Sequence, residues 1–178
     1  MGLYYENLDE KTREFMLKEI ELDISNGRIY LGKHLNSYGQ TTWVSLLREA
    51  CQKFNDDWLA GQLRTTGCMK THTARRTSKG GTTTARVPVT APETLAEGEF
   101  NRFYARALCA RAIKEGISHV EVYRGKSVMH PRPESQAKIG LKYSAKAVLE
   151  DLRTSQGVEP CLGVPPGPNS GLTIRLPD

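Results

Sequence analysis

One histidine of the chain stands in a basic stretch with a glutamate on either side of it. His130 lies between Met129 and Pro131, with Glu121 before it and Glu134 after it. An imidazole that exchanges protons beside a carboxylate, near cations that hold a phosphate, is the arrangement that cleaves phosphodiesters. Such catalysis depends on geometry that spacing cannot establish. We therefore assign no catalytic residue and keep a phosphodiester-directed enzyme as the less favoured alternative.

The most informative feature of the sequence is a basic segment that contains no acidic residue. It lies between Trp58 and Pro92 and includes the stretch SKGGTTT. Its cations suit phosphate oxygens, to which Thr and Ser hydroxyls also donate. The segment lacks the interleaved aromatic residues that stack on bases, so we expect any nucleic-acid contact to be insensitive to sequence. Its candidate contact residues are Lys70, Arg75, Arg76, Lys79 and Arg86.

The order of residues in SKGGTTT argues against the phosphate loop of nucleotide-binding proteins. That loop places its glycines before the lysine and Ser or Thr directly after it, whereas Lys79 precedes Gly80 and Gly81. The spacing of Cys68 and His72 suits half of a zinc site, but no second pair follows at a matching distance. The sequence therefore predicts neither a cofactor nor a metal site.

Charge is distributed unevenly along the chain. Residues 1–57 carry seven Lys and Arg against ten Asp and Glu, whereas residues 124–146 are basic with Glu134 as their one acid. The polarity indicates an anionic partner or an oppositely charged face on a neighbouring subunit. Three interpretations of the basic segment stay open: an arm on nucleic acid, an arm across the acidic first helix of another copy, and an ordinary loop. Further candidate contacts in the second basic stretch are Arg124, Lys126 and Arg132.

The longest predicted helix, PETLAEGEFNRFYARALCARAIKEG, carries a set of charged residues at helical spacing. Glu99, Arg102 and Arg106 lie within one or two turns of each other, so they share a face and can pair. We expect a structural role for this set, with a subunit contact as the alternative because Arg favours bidentate pairs. Gly98 inside the helix indicates a close contact or a break between two helical pieces.

Patterns along the rest of the chain predict an α+β fold in a single domain, 1–178. We divide it into a helical part (1–64), a basic β-hairpin arm (65–90), a part with the central helix, a strand and the last helix (91–157), and a Pro/Gly tail with a terminal strand (158–178). Asn7 or Asp9 is expected to cap the first helix, and Ser144 the last. Thr90 and Glu93 form a capping-box pattern before the central helix.

Shorter elements are predicted from local composition. RIYLG is expected to be a short strand, and TTWVSLLREACQKF a helix that begins at Thr41 or Thr42. DWLAGQLR follows as a further helix, and ISHVEVYRGKSV is the clearest strand. The hairpin tip is placed near Lys79, Gly80 and Gly81, since Thr-rich flanks favour extended backbone and glycines permit a turn. The terminal LTIRL should dock on a sheet edge, its own or a neighbour's.

Composition sets the broad class. The 178 residues carry a net charge of +5, and no apolar run approaches the roughly 20 residues that cross a bilayer. We expect a cytoplasmic protein without a membrane partner, or a virion protein if the chain derives from a phage. Its four cysteines are predicted to be free thiols.

Two stretches of the second half resemble a known kind of protein. FNRFYARALCARA and PPGPNSGLTIRLP are similar to a family of small bacterial and prophage-type proteins, and the likeness implies no activity. The order of basic hairpin, long helix and strand layer is also similar to phage capsid shell proteins, which is a fold-level analogy. We expect a non-enzymatic, oligomer-forming structural or assembly protein that contacts nucleic acid through its basic arm. A sequence-insensitive nucleic-acid binder is the alternative.

Overall fold

The computed structural model describes residues 2–78 and 80–177. Within them the chain forms helices and two small antiparallel sheets, which confirms the α+β prediction. The helices are α1 (Glu10–Ser25), α2 (Ser37–Lys53), α3 (Asp56–Thr65), α4 (Ala91–Lys114), α5 (Pro133–Gln136) and α6 (Ala145–Thr154). The strands are β1 (His72–Arg76), β2 (Thr82–Arg86), β3 (His119–Arg124), β4 (Lys142–Ser144) and β5 (Leu172–Arg175).

Helix α4 is the centre of the fold, as its length and apolar content predicted. It packs against α1, α3 and α6, and it also contacts β3 and β5. Burial extends around its whole circumference between residues 99 and 109, and includes Phe100, Phe103, Tyr104 and Leu108. A helix covered on all sides belongs to the core and not to a surface layer. It continues without a break through Gly98.

Short polar side chains start most of the helices. Asp9 caps α1 by accepting a hydrogen bond from the backbone N–H of Thr12 at 2.8 Å, and Ser144 caps α6 by accepting from Ala147 at 3.3 Å. Both caps confirm the prediction, because a side-chain oxygen here satisfies an N–H group that has no partner within the helix. Thr90 makes no such bond at the start of α4, so the predicted capping box is wrong.

Two further predictions in the first third of the chain are wrong. Helix α2 begins at Ser37, because Asn36 accepts a hydrogen bond from Gly39 N–H at 2.8 Å and so caps the helix before Thr41. The segment RIYLG, residues 28–32, is irregular and pairs with no strand. Its backbone instead supports α2, where Trp43 Nε1 donates to the carbonyl of Tyr30 at 3.0 Å.

The larger sheet has the strand order β4-β3-β5. The terminal strand docks on an edge of the chain's own sheet, with Val122 opposite Ile174. Asn101 of α4 fixes it in place: its Nδ2 donates to the carbonyl of Leu172 at 3.0 Å, and its Oδ1 accepts from the hydroxyl of Thr173 at 2.6 Å. The helix core and the Pro/Gly tail are thereby joined.

Among the described residues, no helix combines the length and the apolar character required to cross a bilayer.

Candidate nucleic-acid interface and adjoining cavity

The basic segment forms the two-stranded hairpin that its composition predicted. Strand β1 pairs with β2 in antiparallel register, from His72 opposite Arg86 to Arg76 opposite Thr82. Thr77 closes the turn by donating its N–H to the carbonyl of Gly81 at 2.8 Å. The turn requires a positive φ at Gly80, where φ is 80°. Lys79, a predicted contact residue at this tip, lies outside the described residues.

Both faces of the hairpin carry arginine. Residues that face each other across an antiparallel pair project to the same side, and successive residues alternate. His72, Arg76 and Arg86 therefore share one face, and Arg75 lies on the other. All four are exposed, and the two strands contact each other far more than they contact any other helix or strand. The hairpin thus projects from the body as a cationic ribbon.

The hairpin arginines have no charge partner among the residues that the structure describes. In the part of the chain that the structure describes, no carboxylate lies within ion-pair distance of Arg75, Arg76 or Arg86. Lys70, just before β1, differs from them because its ammonium donates to the carbonyl of Lys33 at 3.0 Å. The three arginines need no internal bond to be broken before they meet an external anion.

The second basic stretch behaves differently from the hairpin. Arg124 donates to the carbonyl of Ser170 at 3.2 Å and to Gln136 Oε1 at 2.6 Å. Lys126 pairs with the buried Glu97 at 3.0 Å. These two cations hold the tail loop, so their prediction as contact residues stays a prediction with internal bonds that compete with it. Arg132 is exposed, and its guanidinium has no hydrogen bond or ion pair to any described residue.

Of the two glutamates considered as partners of His130, the structure brings one to the same cavity. His130 and Glu134 both line a small cavity of about 290 Å³. Glu121 is outside that lining and accepts a hydrogen bond from Arg175 at 2.6 Å, which lowers the pKa of its carboxyl. A carboxylate held in an ion pair at another position cannot serve as the partner of His130. The candidate catalytic set therefore loses Glu121.

The charged residues of α4 are buried inside the chain. Arg106 is 0% exposed and donates to Glu19 at 2.9 Å and to Asp23 at 2.6 Å, so its acidic partners come from α1. Burial alone raises the pKa of Glu19, but hydrogen bonds from Arg153 and Arg106 together with their charges outweigh it and lower that pKa. The prediction that Arg106 pairs with Glu99 is wrong.

Arg102 caps the C-terminal end of helix α6. Its guanidinium donates to the carbonyl of Ser155 at 3.0 Å and to that of Leu152 at 2.5 Å, at the C-terminal end of α6. A cation at this end complements the helix dipole and the unpaired carbonyls. Glu99, Arg102 and Arg106 are 8%, 6% and 0% exposed. The side chains of Arg102 and Arg106 are therefore structural, and little surface of any of the three residues remains for contact with a second copy.

A cavity of about 540 Å³ lies where the hairpin joins the body. That volume is in the range of roughly 300–1,000 Å³ typical of small-molecule sites. Its lining comes from four parts of the chain: the segment between α1 and α2, the residues that flank the hairpin, one face of α4, and the tail loop. In that order they include Lys33 and His34, then Met69 and Pro88, then Gly98, Glu99 and Arg102, then Pro166 and Pro168.

Glu99 is the residue of this cavity that sequence reasoning misassigned. Its carboxyl has no hydrogen bond or ion pair with any described residue. Burial raises its pKa to about 7, against the opposing charges of Arg102 and Arg106. A buried carboxyl of this kind in a cleft is a candidate for function. Gly98 beside it was the one available signal, since a missing side chain there leaves room between α4 and Pro168.

Comparison with known proteins assigns no function to the hairpin or to the cavity. No family model, no curated protein and no solved structure matches the chain. Function therefore has to be inferred from the charge and geometry of the hairpin and the cavity.

Proposed function

We propose that the protein binds nucleic acid through the hairpin, by phosphate contacts that do not depend on sequence. The observation that carries this proposal is the set of three exposed arginines, on both faces of the ribbon, that form no ion pair with any described residue. A two-stranded ribbon is narrow enough to enter the major groove of duplex DNA. Arginine also binds phosphate oxygens in a bidentate manner.

The rest of the hairpin suits this role. No acidic residue lies between Trp58 and Pro92 to repel phosphates. Threonines at positions 82–84 are exposed beside the arginines, and their hydroxyls can donate to the same oxygens. Each cation that neutralises a phosphate releases counterions, so binding should weaken as salt is added. With no aromatic residue on either strand, sequence-specific stacking along the hairpin is not expected.

The experiment is anisotropy titration of a labelled 20-base-pair duplex at salt concentrations between about 50 and 200 mM. The test variant carries Arg75→Ala, Arg76→Ala and Arg86→Ala. A matched control removes three exposed lysines elsewhere, Lys53, Lys142 and Lys146. We expect only the test variant to flatten the plot of log affinity against log salt, by about 0.9 for each phosphate that is no longer neutralised. Equal slopes for the two variants would disprove the hairpin as the interface.

Assembly remains a second proposal because no described strand pairs with the outer edge of β1 or of β2. Such edges can extend onto a strand of another copy. Exposed acids of α1, including Glu10, Glu14 and Glu21, would meet the hairpin arginines across such a contact. A structural protein of phage or prophage type would use nucleic-acid binding and self-association together.

Light scattering on a sizing column at about 0.5 M salt, where exposed charges are screened, tests the assembly proposal. The protein is treated with nuclease first, so that bound nucleic acid does not bridge copies. We expect a mass of several subunits that falls when residues 71–83 are deleted. A monomer under these conditions would set assembly aside and leave the nucleic-acid proposal intact.

A further inference from the structure

The position of the larger cavity links it to the hairpin. Met69 and Pro88, which lie just outside the two strands, form part of its lining. A strand of nucleic acid that follows the hairpin arginines toward the body would therefore reach the cavity mouth. Lys33 also lines the cavity, is exposed, and has an ammonium without a hydrogen bond or ion pair to any described residue. It can neutralise a phosphate at that point.

Unsatisfied polar groups mark the interior of the cavity. Glu99 is 8% exposed and lines the cavity, and its carboxyl has no hydrogen-bond partner among the described residues. Two other lining residues, His34 and Arg102, each have a buried side-chain nitrogen, Nδ1 and Nε respectively, without a partner among those residues. Buried polar groups are usually hydrogen-bonded, and an exception calls for an explanation. A ligand whose N–H groups donate to the Glu99 carboxylate would explain why this carboxylate has no partner among the described residues.

The other walls are suited to a flat, weakly polar ring. Met69, Leu95, Val158 and two prolines of the tail, Pro166 and Pro168, surround the space. Apolar walls around a few convergent polar groups are the usual construction of a small-molecule site. Thioether and proline surfaces also pack on aromatic faces without demanding a particular ring.

We propose that this cavity holds one unpaired nucleobase of a strand bound on the hairpin, with the carboxylate of Glu99 accepting N–H groups from the base edge. The inference rests on the proposed nucleic-acid binding. Guanine is the preferred base, because its N1–H and N2–H groups lie side by side and match the two oxygens of one carboxylate. Lys33 holds the phosphate of the same nucleotide at the mouth.

The test isolates a single base from the backbone. The probe is a labelled 12-nucleotide DNA strand with abasic residues at every position, compared with the same strand carrying one central guanine. For the unaltered protein we expect the guanine to raise affinity about tenfold, which is within the range for one base held by a protein. Glu99→Gln keeps the shape of the side chain but removes the charge and one acceptor, so it should abolish that gain.

Two more variants keep the result interpretable. Glu150→Gln makes the same change at an exposed position of α6 and should retain the tenfold gain. Gly98→Leu fills space beside Glu99 without altering its carboxyl, and should abolish the gain even if Glu99→Gln folds poorly. The atoms nearest to a β-carbon at position 98 belong to Pro168, at 3.7 Å or more, so the backbone should accommodate the change.

The possible results distinguish the base site from the nucleic-acid binding on which it rests. If neither strand binds the unaltered protein, the base site is wrong because no single strand follows the hairpin, and the duplex titration decides separately whether nucleic-acid binding stands. If both strands bind equally well, backbone binding stands and the base site is wrong. A guanine gain that survives both Glu99→Gln and Gly98→Leu would also overturn the inference, because the base would then lie elsewhere.

Discussion

The arginines of the hairpin and those of α4 are the same residue type in opposite surroundings. Arg75 and Arg76 are exposed, and no described carboxylate pairs with them. Arg106 is fully buried and contacts two carboxylates of α1. A buried cation must be paired, since the cost of removing it from water is otherwise too large. An unpaired cation in water has no such cost, and it keeps its charge for a partner.

The difference follows from what surrounds each arginine in the folded chain. Helix α1 contributes Glu19 and Asp23 at positions four residues apart, so both face α4 on one side of the helix. The hairpin has no acid in its own segment and makes little contact with the acidic body. If charges are only counted along the sequence, the hairpin and α4 are both basic. The number of carboxylates within reach in three dimensions distinguishes a structural cation from a candidate binding cation.

We expect the largest loss of stability when the buried arginine, Arg106, is replaced. Arg106→Met keeps an apolar stem in the core but leaves Glu19 and Asp23 without their shared cation. Removing one partner of a buried ion pair costs about 3–5 kcal/mol, because a charge is left buried and uncompensated. Urea unfolding should show this loss. The control is Arg132→Met, which removes an exposed, unpaired cation and should be nearly neutral. Equal losses for both would show that the α1–α4 network contributes no stability.

A second prediction concerns the carboxyl that lacks a partner in α4. Burial raises the pKa of Glu99 from 4.5 to about 7, and the charged groups that face it are Arg102, Arg106 and Asp23. Below pH 4.5 the carboxyl is protonated in both the folded and unfolded states. Between pH 4.5 and 7 only the unfolded chain ionises, so the free energy of unfolding falls as pH rises. The total loss is on the order of 3 kcal/mol.

Glu99→Gln should remove that pH dependence. The variant is expected to match the unaltered protein near pH 4 and to be more stable by up to about 3 kcal/mol at pH 8, as measured by urea unfolding. Burial also raises the pKa of Asp56, to about 6, so the quantity to follow is the difference between the two proteins. Glu150→Gln should track the unaltered protein throughout. A constant difference across this range would contradict the raised pKa of Glu99.

The hairpin was the more predictable of the two regions, and the reason is physical. Its strands are joined by a short turn, so Gly80 and the Thr-rich flanks specify the structure through local backbone preferences. The caps at Asp9 and Ser144 are local in the same sense. By contrast, Thr90 matched a local pattern but makes no capping bond.

The buried site depends on contacts between distant parts of the chain. Arg106 meets Asp23 across 83 positions, and the sequence spacing within α4 pointed to Glu99 instead. The cavity is bounded by the ends of the hairpin, by α4 and by the tail loop, whose approach no periodicity encodes. Residues 28–32 illustrate the same limit: their composition favours a strand, but the backbone of Tyr30 is used by Trp43.

One arginine on the surface is paired but partly exposed, and so lies between Arg106 and the hairpin arginines. Arg48 pairs with Glu21 at 2.7 Å on the surface between α2 and α1, and the two side chains are 42% and 54% exposed. Water screens this pair and both side chains lose freedom in forming it, so it should contribute about 0.2–1 kcal/mol. A double-mutant cycle with Arg48→Met and Glu21→Gln measures that coupling. A coupling as large as the cost of Arg106→Met would mean that burial is not what separates the two classes of arginine.

We expect the smallest change in stability when the exposed arginines of the hairpin are replaced. Replacing Arg75 and Arg76 by alanine should change the free energy of unfolding by no more than about 0.5 kcal/mol, because neither side chain pairs with a described carboxylate or packs on the core. Urea unfolding measures this, and a change of about 2 kcal/mol or more would mean that the hairpin docks on the body through these arginines. In that case they would already be engaged and would have to be released before they bound phosphate. Near-neutral stability combined with reduced nucleic-acid affinity would assign the same two residues to binding, since a cation that contributes nothing to the fold keeps its charge free for an external anion.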